Sequence, residues 1–380
     1  MKRLVALLAL VVGVLYAGAG SGQSAQAVEE NVGLLPQTAP GTPWSFIGFA
    51  ITAPTDPAWM VSVGTPRNGT LGRAASSGAA DGVALVISSE LLDAPIDNDT
   101  ALLAAARDRH ARLSEHWAID KHDETLARHA GTRCARHRIT AREPEDPSAA
   151  RKSSKTEAPR QFLHVTGLSC VHPTEPRLLV EVGMSERTPR STMNPTLQRD
   201  AEQAIASLAF QRYSEKALQT SAELARAGRA QEAEAMLKPY VDADAAWARY
   251  FLAQIVQRAV PAPPEAGART RALLEPAAER GLADAQWMLG TLYLRGGDGV
   301  SKDPALAQAL LRRAAERGSA GAEYQLGLVL LSGEVGFAPD RREAVLWITR
   351  AAARGQKEAQ ELLNSARDGG PPPKAPAKAP

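Results

Sequence analysis

Two cysteines and seven histidines give this chain of 380 residues its widest choice of chemistry. Cys134-x-x-His137 and Cys170-x-His172 supply four donors of the kind that hold zinc. Their segments, RCARHRIT and RQFLHVTGLSC, read as β-strands, and residues three apart on a strand point to opposite faces. A disulfide fits better. If the two strands form an antiparallel hairpin around the charged loop Ala141–Pro159, Cys134 and Cys170 lie opposite each other near its open end. An oxidising compartment then favours the bond. Closing such a loop contributes about 4 kcal/mol in the chain-entropy treatment. No metal and no cofactor are expected.

Catalytic patterns are sparse. His110 falls on an apolar helical stripe with Leu103, Ala106, Leu113 and Trp117, which reads as a satisfied core histidine. His116, His122 and His129 are spaced six and seven apart, without the i, i+4 pairing of helical zinc proteases. The sequence contains no G-x-S-x-G elbow, P-loop or dinucleotide fingerprint. An enzyme is therefore not expected. The alternative places an enzyme or regulator site in the N-terminal domain, around His110 or His164, and a glycan-binding reading would call for exposed aromatics.

The elements that carry these residues are strands punctuated by Pro and Gly: WSFIGFAI, AWMVSV, GVALVISS, the two cysteine strands and RLLVEVGMS. A helix over about Thr100–Trp117 interrupts them. Another, NPTLQRDAEQAIASLAF, closes the series with Leu197, Ala201, Ile205 and Leu208 inward. This order predicts an α+β domain over 44–211, an antiparallel sheet with helices. The element order resembles the PsbP/DcrB-like group of exported α/β domains.

After residue 212 the period changes. Gly281, Gly318 and Gly355 recur every 37 residues within LLEPAAERGLADAQWMLG, LLRRAAERGSAGAEYQLG and LWITRAAARGQKEAQELL. Self-similarity at this period marks stacked helical units that bury their apolar faces on one another. In the clearest unit Asp303 caps a helix and Pro304 opens it. Ala307, Leu310, Leu311 and Ala314 form its stripe, and Gly318 supplies the left-handed end. Asp340 and Glu343 read as a reciprocal cap. Equivalent small residues, Ala285, Ala322 and Ala359 and also Gly290 and Gly327, let neighbouring helices approach closely. Leu289 and Leu326 share one core register, and Trp287, Tyr324 and Trp347 read as core anchors. A fainter unit precedes these, with Asp244 in place of the helix-ending glycine. SEKALQTSAELARAGRAQEAEAMLKPY reads as a helical hairpin turning at Gly228.

The words Ala344–Trp347–Ala351–Ala352–Gly355 and Ala285–Gln286–Trp287–Leu289–Gly290–Tyr293–Gly296–Gly299–Val300 resemble the Sel1-like repeat family, relatives of the tetratricopeptide repeat. The resemblance covers about Ala233–Arg367. It implies a solenoid of antiparallel helix pairs over 212–367 and a role in binding proteins. Some secreted relatives pair cysteines within their repeats, and this array contains none. In related architectures the first helix of each pair lines the binding face. Arg271, Arg312, Arg313, Arg342 and Arg350 form a basic row there, suited to acidic side chains or a carboxylate.

The ends bound the compartment. MKRLVALLALVVGVLYAGAGSGQSAQA, residues 1–27, has the basic start, short apolar core and Ala-Gln-Ala site of a cleaved export signal. Its apolar run falls short of the ~20 residues of a membrane span, so no stable span is expected after cleavage. The chain is expected in the periplasm, with release outside the cell as the alternative. Residues 28–43 read as a linker and 368–380 as a disordered Pro/Ala/Lys tail. A net charge of +2 offers no case for nucleic acid. Together these readings predict a periplasmic adaptor in the bacterial envelope with a protein or peptide partner.

Overall fold

A computed structural model describes residues 35–36, 41–55, 59–65, 67–73, 82–144, 161–259, 265–297, 299–333 and 337–367. The export signal, most of the linker, much of the charged loop and the C-terminal tail lie outside the described residues. The chain forms two compact units that interleave along the sequence. One holds Gly69–Leu208 with Asp56–Ser62. The other holds Leu35–Thr55, Val63–Asn68 and the chain from Ala209 onward. Residues 44–55, expected to begin the α+β domain, thus group with the repeats. The reason is local: Ser45 donates its hydroxyl to the Arg280 carbonyl, and Arg317 donates to the Pro43 carbonyl and the Thr42 hydroxyl.

In the first unit the strands run in the order β3 (Trp59–Gly64), β4 (Gly69–Arg73), β5 (Gly82–Leu91), β9 (Glu175–Thr188), β8 (Phe162–His172), β7 (Thr132–Arg142), β6 (Ala118–His129). Every pairing from β4 onward is antiparallel. Helix α1 (Asp99–Ala111) follows the first three of these strands. Its Leu102 and Ala106 pack with Ala135, Val171 and Leu179 of the sheet. Residues of the other parity, Leu168, Val180 and Val182, are equally buried, and α2 (Pro195–Ala206) packs on β8 and β9. A central strand buried on both sides reads as a largely apolar run, as LLVEVGM does apart from Glu181. As expected, Leu197, Ala201, Ile205 and Leu208 are buried.

Strand β6 was not expected. AIDKHDETLARH lacks apolar alternation because it is an edge strand, most of it exposed. Charged side chains on an edge discourage pairing with another chain. Cys134 and Cys170 stand in register across β7 and β8 and form a disulfide. Their bond lies at the end of the hairpin remote from its loop.

In the second unit, short strands β1 (Pro43–Ser45), β2 (Phe49–Thr52) and β10 (Ala209–Phe210) form a sheet in the order β10-β2-β1. Helices α3 (Glu215–Arg226), α4 (Ala230–Asp242), α5 (Ala246–Arg258), α6 (Ala266–Glu279) and α7 (Ala283–Arg295) follow, then α8 (Pro304–Glu316), α9 (Ala320–Ser332), α10 (Arg341–Ala353) and α11 (Lys357–Arg367). Consecutive helices pack on one another, so each buries its stripe on its neighbours. Gly281, Gly318 and Gly355 all have φ near +80° to +90°, the left-handed helix end that the repeat requires, and Asp244 takes the same conformation at +58°. Asp303 accepts from the Leu306 amide and Asp340 from the Glu343 amide, so both cap their helices. The Glu343 carboxylate does not return the bond to its own cap; it accepts from Arg312 and Trp347.

Candidate functional site

Among the described residues, two places gather groups beyond what packing needs. The first is the surface of the repeat helices. Ala285, Ala322 and Ala359 are fully buried, and Leu289 and Leu326 nearly so. A Cβ added to Gly290 would meet Leu310 and Leu311 of α8, and one on Gly327 would meet Ile348 of α10 at 2.5 Å. These small residues therefore set the helix spacing. Trp347 is buried, whereas Trp287 and Tyr324 are half-buried against the cores they flank. Trp287 also donates its indole N–H to Gln325.

The basic row divides. Arg350 is 2% exposed and donates to Glu323, which is itself buried and also accepts from Arg354. Arg350 thus corrects the expectation of a solvent-facing row: it lies inside the array, because the carboxylate at position 323 draws it there. Arg312 is half-buried in a paired contact with Glu343 of the next helix pair. Arg271 stands 3.7 Å from Glu275 along its own helix. Arg313 and Arg342 alone of the five are exposed. They share the surface of α8 and α10 with two exposed apolar side chains, Leu306 and Val345. Spaced at i, i+7, Leu306 and Arg313 form one outward stripe.

Other arginines, outside the basic row, stitch the array. Arg280, Arg317 and Arg354 each precede a repeat glycine. Arg280 pairs with Asp244, Arg317 donates to the Gly281 carbonyl at 2.8 Å, and Arg354 reaches Glu323. The recurring word Arg-Gly was the available signal.

Residues 283–319 and 320–356 match the Sel1 repeat family. The chain carries Sel1 repeats. Sel1 arrays generally serve as scaffolds for protein–protein interaction and are typically non-catalytic. The Sel1 region is similar to solved structures of the same repeat type. A Sel1 repeat protein from Oxalobacter formigenes is 33% identical over 34% of this chain and 95% of its own, with a TM-score of 0.30. A protective antigen of uropathogenic Escherichia coli with an SLR fold is 28% identical over 36% of this chain and 29% of its own, with a TM-score of 0.33. Cysteine rich protein B of Helicobacter pylori is 17% identical over 38% of this chain and 91% of its own, with a TM-score of 0.27. No curated protein matches the chain significantly. No helix among the described residues is long and apolar enough to cross a membrane.

The second place lies in the other unit, between α1 and the sheet. Glu124, His137, Gly167 and Gly183 form one row across β6, β7, β8 and β9. His122 and Glu181 lie two residues along from members of this row, hence on the same face. Over it, α1 places Arg109 and His110. Arg109 donates to Glu181 at 2.6 Å, to Glu90 at 2.5 Å and to Ser88 at 2.7 Å. His110 Nε2 stands 3.3 Å from Glu181 Oε1, and its ring centre 4.2 Å from that of His137. Burial opposes ionisation of Glu181, but the Arg109 charge and the contact with His110 hold its carboxyl well below the usual range. Burial pushes the His137 imidazole down to about 4, against the pull of Glu181 and with the help of His110, His122 and Arg109. At neutral pH His137 is uncharged and carries a free lone pair.

By sequence His110 is a core histidine and His137 groups with Cys134. Burial of His110 is observed, but it converges with groups from three strands. His164, the other residue considered, faces away from this cluster: its Nε2 is 2.9 Å from the Arg190 carbonyl. Spacing alone set His122 aside with His116 and His129, and Arg109, Glu124 and Glu181 carry no motif signal in the sequence. Only the alternation His122-x-Glu124 hinted at a shared face.

Proposed function

We propose that the chain is an exported adaptor of the bacterial envelope. Its Sel1 array binds an acidic protein or peptide segment over the stripe of Leu306, Arg313, Arg342 and Val345, and its N-terminal unit positions the array or binds a second partner. The observation that carries this reading is the division of the arginines. Arg271, Arg312 and Arg350 engage carboxylates of the array, whereas Arg313 and Arg342 remain exposed beside exposed apolar side chains. Guanidinium groups flanked by apolar surface suit a segment that offers carboxylates and a few hydrophobic side chains. The export signal read from residues 1–27 and the disulfide support the periplasm as its compartment.

The test is crosslinking in intact cells with the full-length protein and with an Arg313→Glu/Arg342→Glu variant. A partner recovered by the native chain and lost with the variant, at unchanged helical content, supports the reading. Equal recovery by both removes this stripe as the binding surface. Fractionation with N-terminal sequencing of the mature chain tests export, with cleavage expected after Ala27.

A further inference from the structure

We propose that His110, His137 and Glu181 form a binding site for one divalent transition-metal ion of the zinc class. Their donor atoms lie within 4.8 Å of one another. Glu181 Oε1 is 3.3 Å from His110 Nε2 and 3.9 Å from His137 Nε2. Donors held at about 2.0–2.1 Å around a tetrahedral ion stand roughly 3.4 Å apart. Closing the shell therefore takes about half an ångström at the 3.9 Å pair and at most about 1.4 Å between the two imidazole donors, which lie within 4.8 Å of each other.

The state of His137 points to a ligand. Its side chain is 0% exposed, and neither ring nitrogen has a hydrogen-bond partner. An unpaired buried polar group is costly, and the sheet leaves room for this one. A Cβ at Gly167 would stand 2.5 Å from His137 Nε2 and 2.9 Å from the Gly183 Cα. Strand β8 thus gives up its side chain where the imidazole lies. An apolar residue on β7 would fill such a trough without cost, so the imidazole there needs a reason, and coordination supplies one.

The surroundings are those of a supported metal site. Arg109 holds Glu181 through Oε2, leaving Oε1 toward the two imidazoles. Arg109 is itself fixed by Glu90 and Ser88. Outer partners of this kind orient ligating groups and tune affinity. The Arg109 charge is more than offset, since Glu181 and Glu90 both contact it. Two imidazoles and one carboxylate suit zinc, cobalt, nickel or copper rather than calcium or magnesium, which prefer oxygen donors. Exposed His122, with Glu124, adjoins the site through His110, giving it a side open to solvent.

The experiment uses untagged full-length protein with its disulfide intact, stripped with EDTA and titrated with Co²⁺ and then Zn²⁺. The expected result is one equivalent of Co²⁺ bound with visible d–d absorption, displaced by Zn²⁺, and a melting temperature raised by excess Zn²⁺. His110→Gln and Glu181→Gln should each weaken Co²⁺ binding by about 100-fold or more, at or above the loss seen for outer-shell partners. His164→Ala, on the opposite sheet face, should retain the full equivalent. Absence of Co²⁺ bands in the native protein at millimolar metal overturns the proposal. So does unchanged affinity in a folded Glu181→Gln variant, which would move any bound ion to the rim triad His110, His122 and Glu124.

Discussion

Arg317 donates a hydrogen bond to the carbonyl of Gly281, the residue that ends the equivalent helix of the preceding repeat, 36 positions earlier. The same guanidinium reaches the Pro43 carbonyl and the Thr42 hydroxyl. Little of it is exposed, and burial, helped by the nearby Arg313, lowers its pKa to about 10. Three neutral oxygens therefore hold a cation beside a glycine whose conformation the repeat already dictates.

This contact separates two glycines that look equivalent in sequence. A Cβ at Gly355 would meet nothing within 4 Å, whereas one at Gly281 would collide with Arg317 and the Pro43 carbonyl. Gly355→Ala should cost about 1–2 kcal/mol, the strain of a left-handed residue alone. Gly281→Ala should cost more, by roughly the 1–3 kcal/mol of an overpacked site. Urea denaturation of both variants checks the difference, and equal losses would refute the role given to Arg317.

The buried cluster at Glu323 makes a second prediction. Positions 286, 323 and 360 share one register. Gln286 donates to the Ala278 carbonyl and Gln360 to that of Ala352, but Glu323 has no proton to donate when ionised and pairs with Arg350 and Arg354. Burial raises the Glu323 pKa and lowers that of Arg350, so desolvation outweighs attraction at both ends. Glu323→Gln alone should destabilise by about 3–5 kcal/mol, because it removes the carboxylate that balances the buried Arg350 charge. Adding Arg350→Met should recover most of that loss, since the introduced amide can then bond the Ala315 carbonyl as Gln286 and Gln360 bond theirs. A double variant no more stable than the single one would count against this account.

The disulfide joins two fully buried cysteines. Intact mass after alkylation should show no modified thiol without reduction and two after it. Replacing both cysteines by alanine should cost about 2–5 kcal/mol, as for native disulfides, read from denaturation of oxidised protein.

Acid should loosen the start of the array. Glu215 accepts from Arg67 at 2.7 Å and from the Tyr213 hydroxyl. Burial opposes its ionisation, but these two hydrogen bonds and the Arg67 charge hold its pKa below the usual 4.5. A depressed folded pKa means that the contribution is present above the unfolded value and disappears as pH falls through the folded one. The melting-temperature gap between native protein and Glu215→Gln should therefore be full at pH 7 and shrink below about pH 4.5. A gap independent of pH would show that the charge is not responsible.

What the sequence determined by itself was everything encoded by local spacing. A 37-residue period is met by stacked similar units, so Gly318, Ala322, Asp303 and the helix stripes were legible in the sequence. Cys134 and Cys170 were likewise legible, because strand alternation places them on one face once the hairpin is drawn. Tertiary structure decided the matters that depend on several elements at once. Arg350 and Arg313 occupy the same repeat position, yet one is buried and the other exposed, because only the former meets a carboxylate at 323. His110, His137 and Glu181 lie on a helix and two strands separated by up to 71 residues. Their convergence needs the strand order and register, and the space for the His137 imidazole needs the glycine at 167, which the sequence shows only as one more strand residue. Local pattern records what each element is; long-range pairing sets which side chains share a volume, and chemistry depends on the volume.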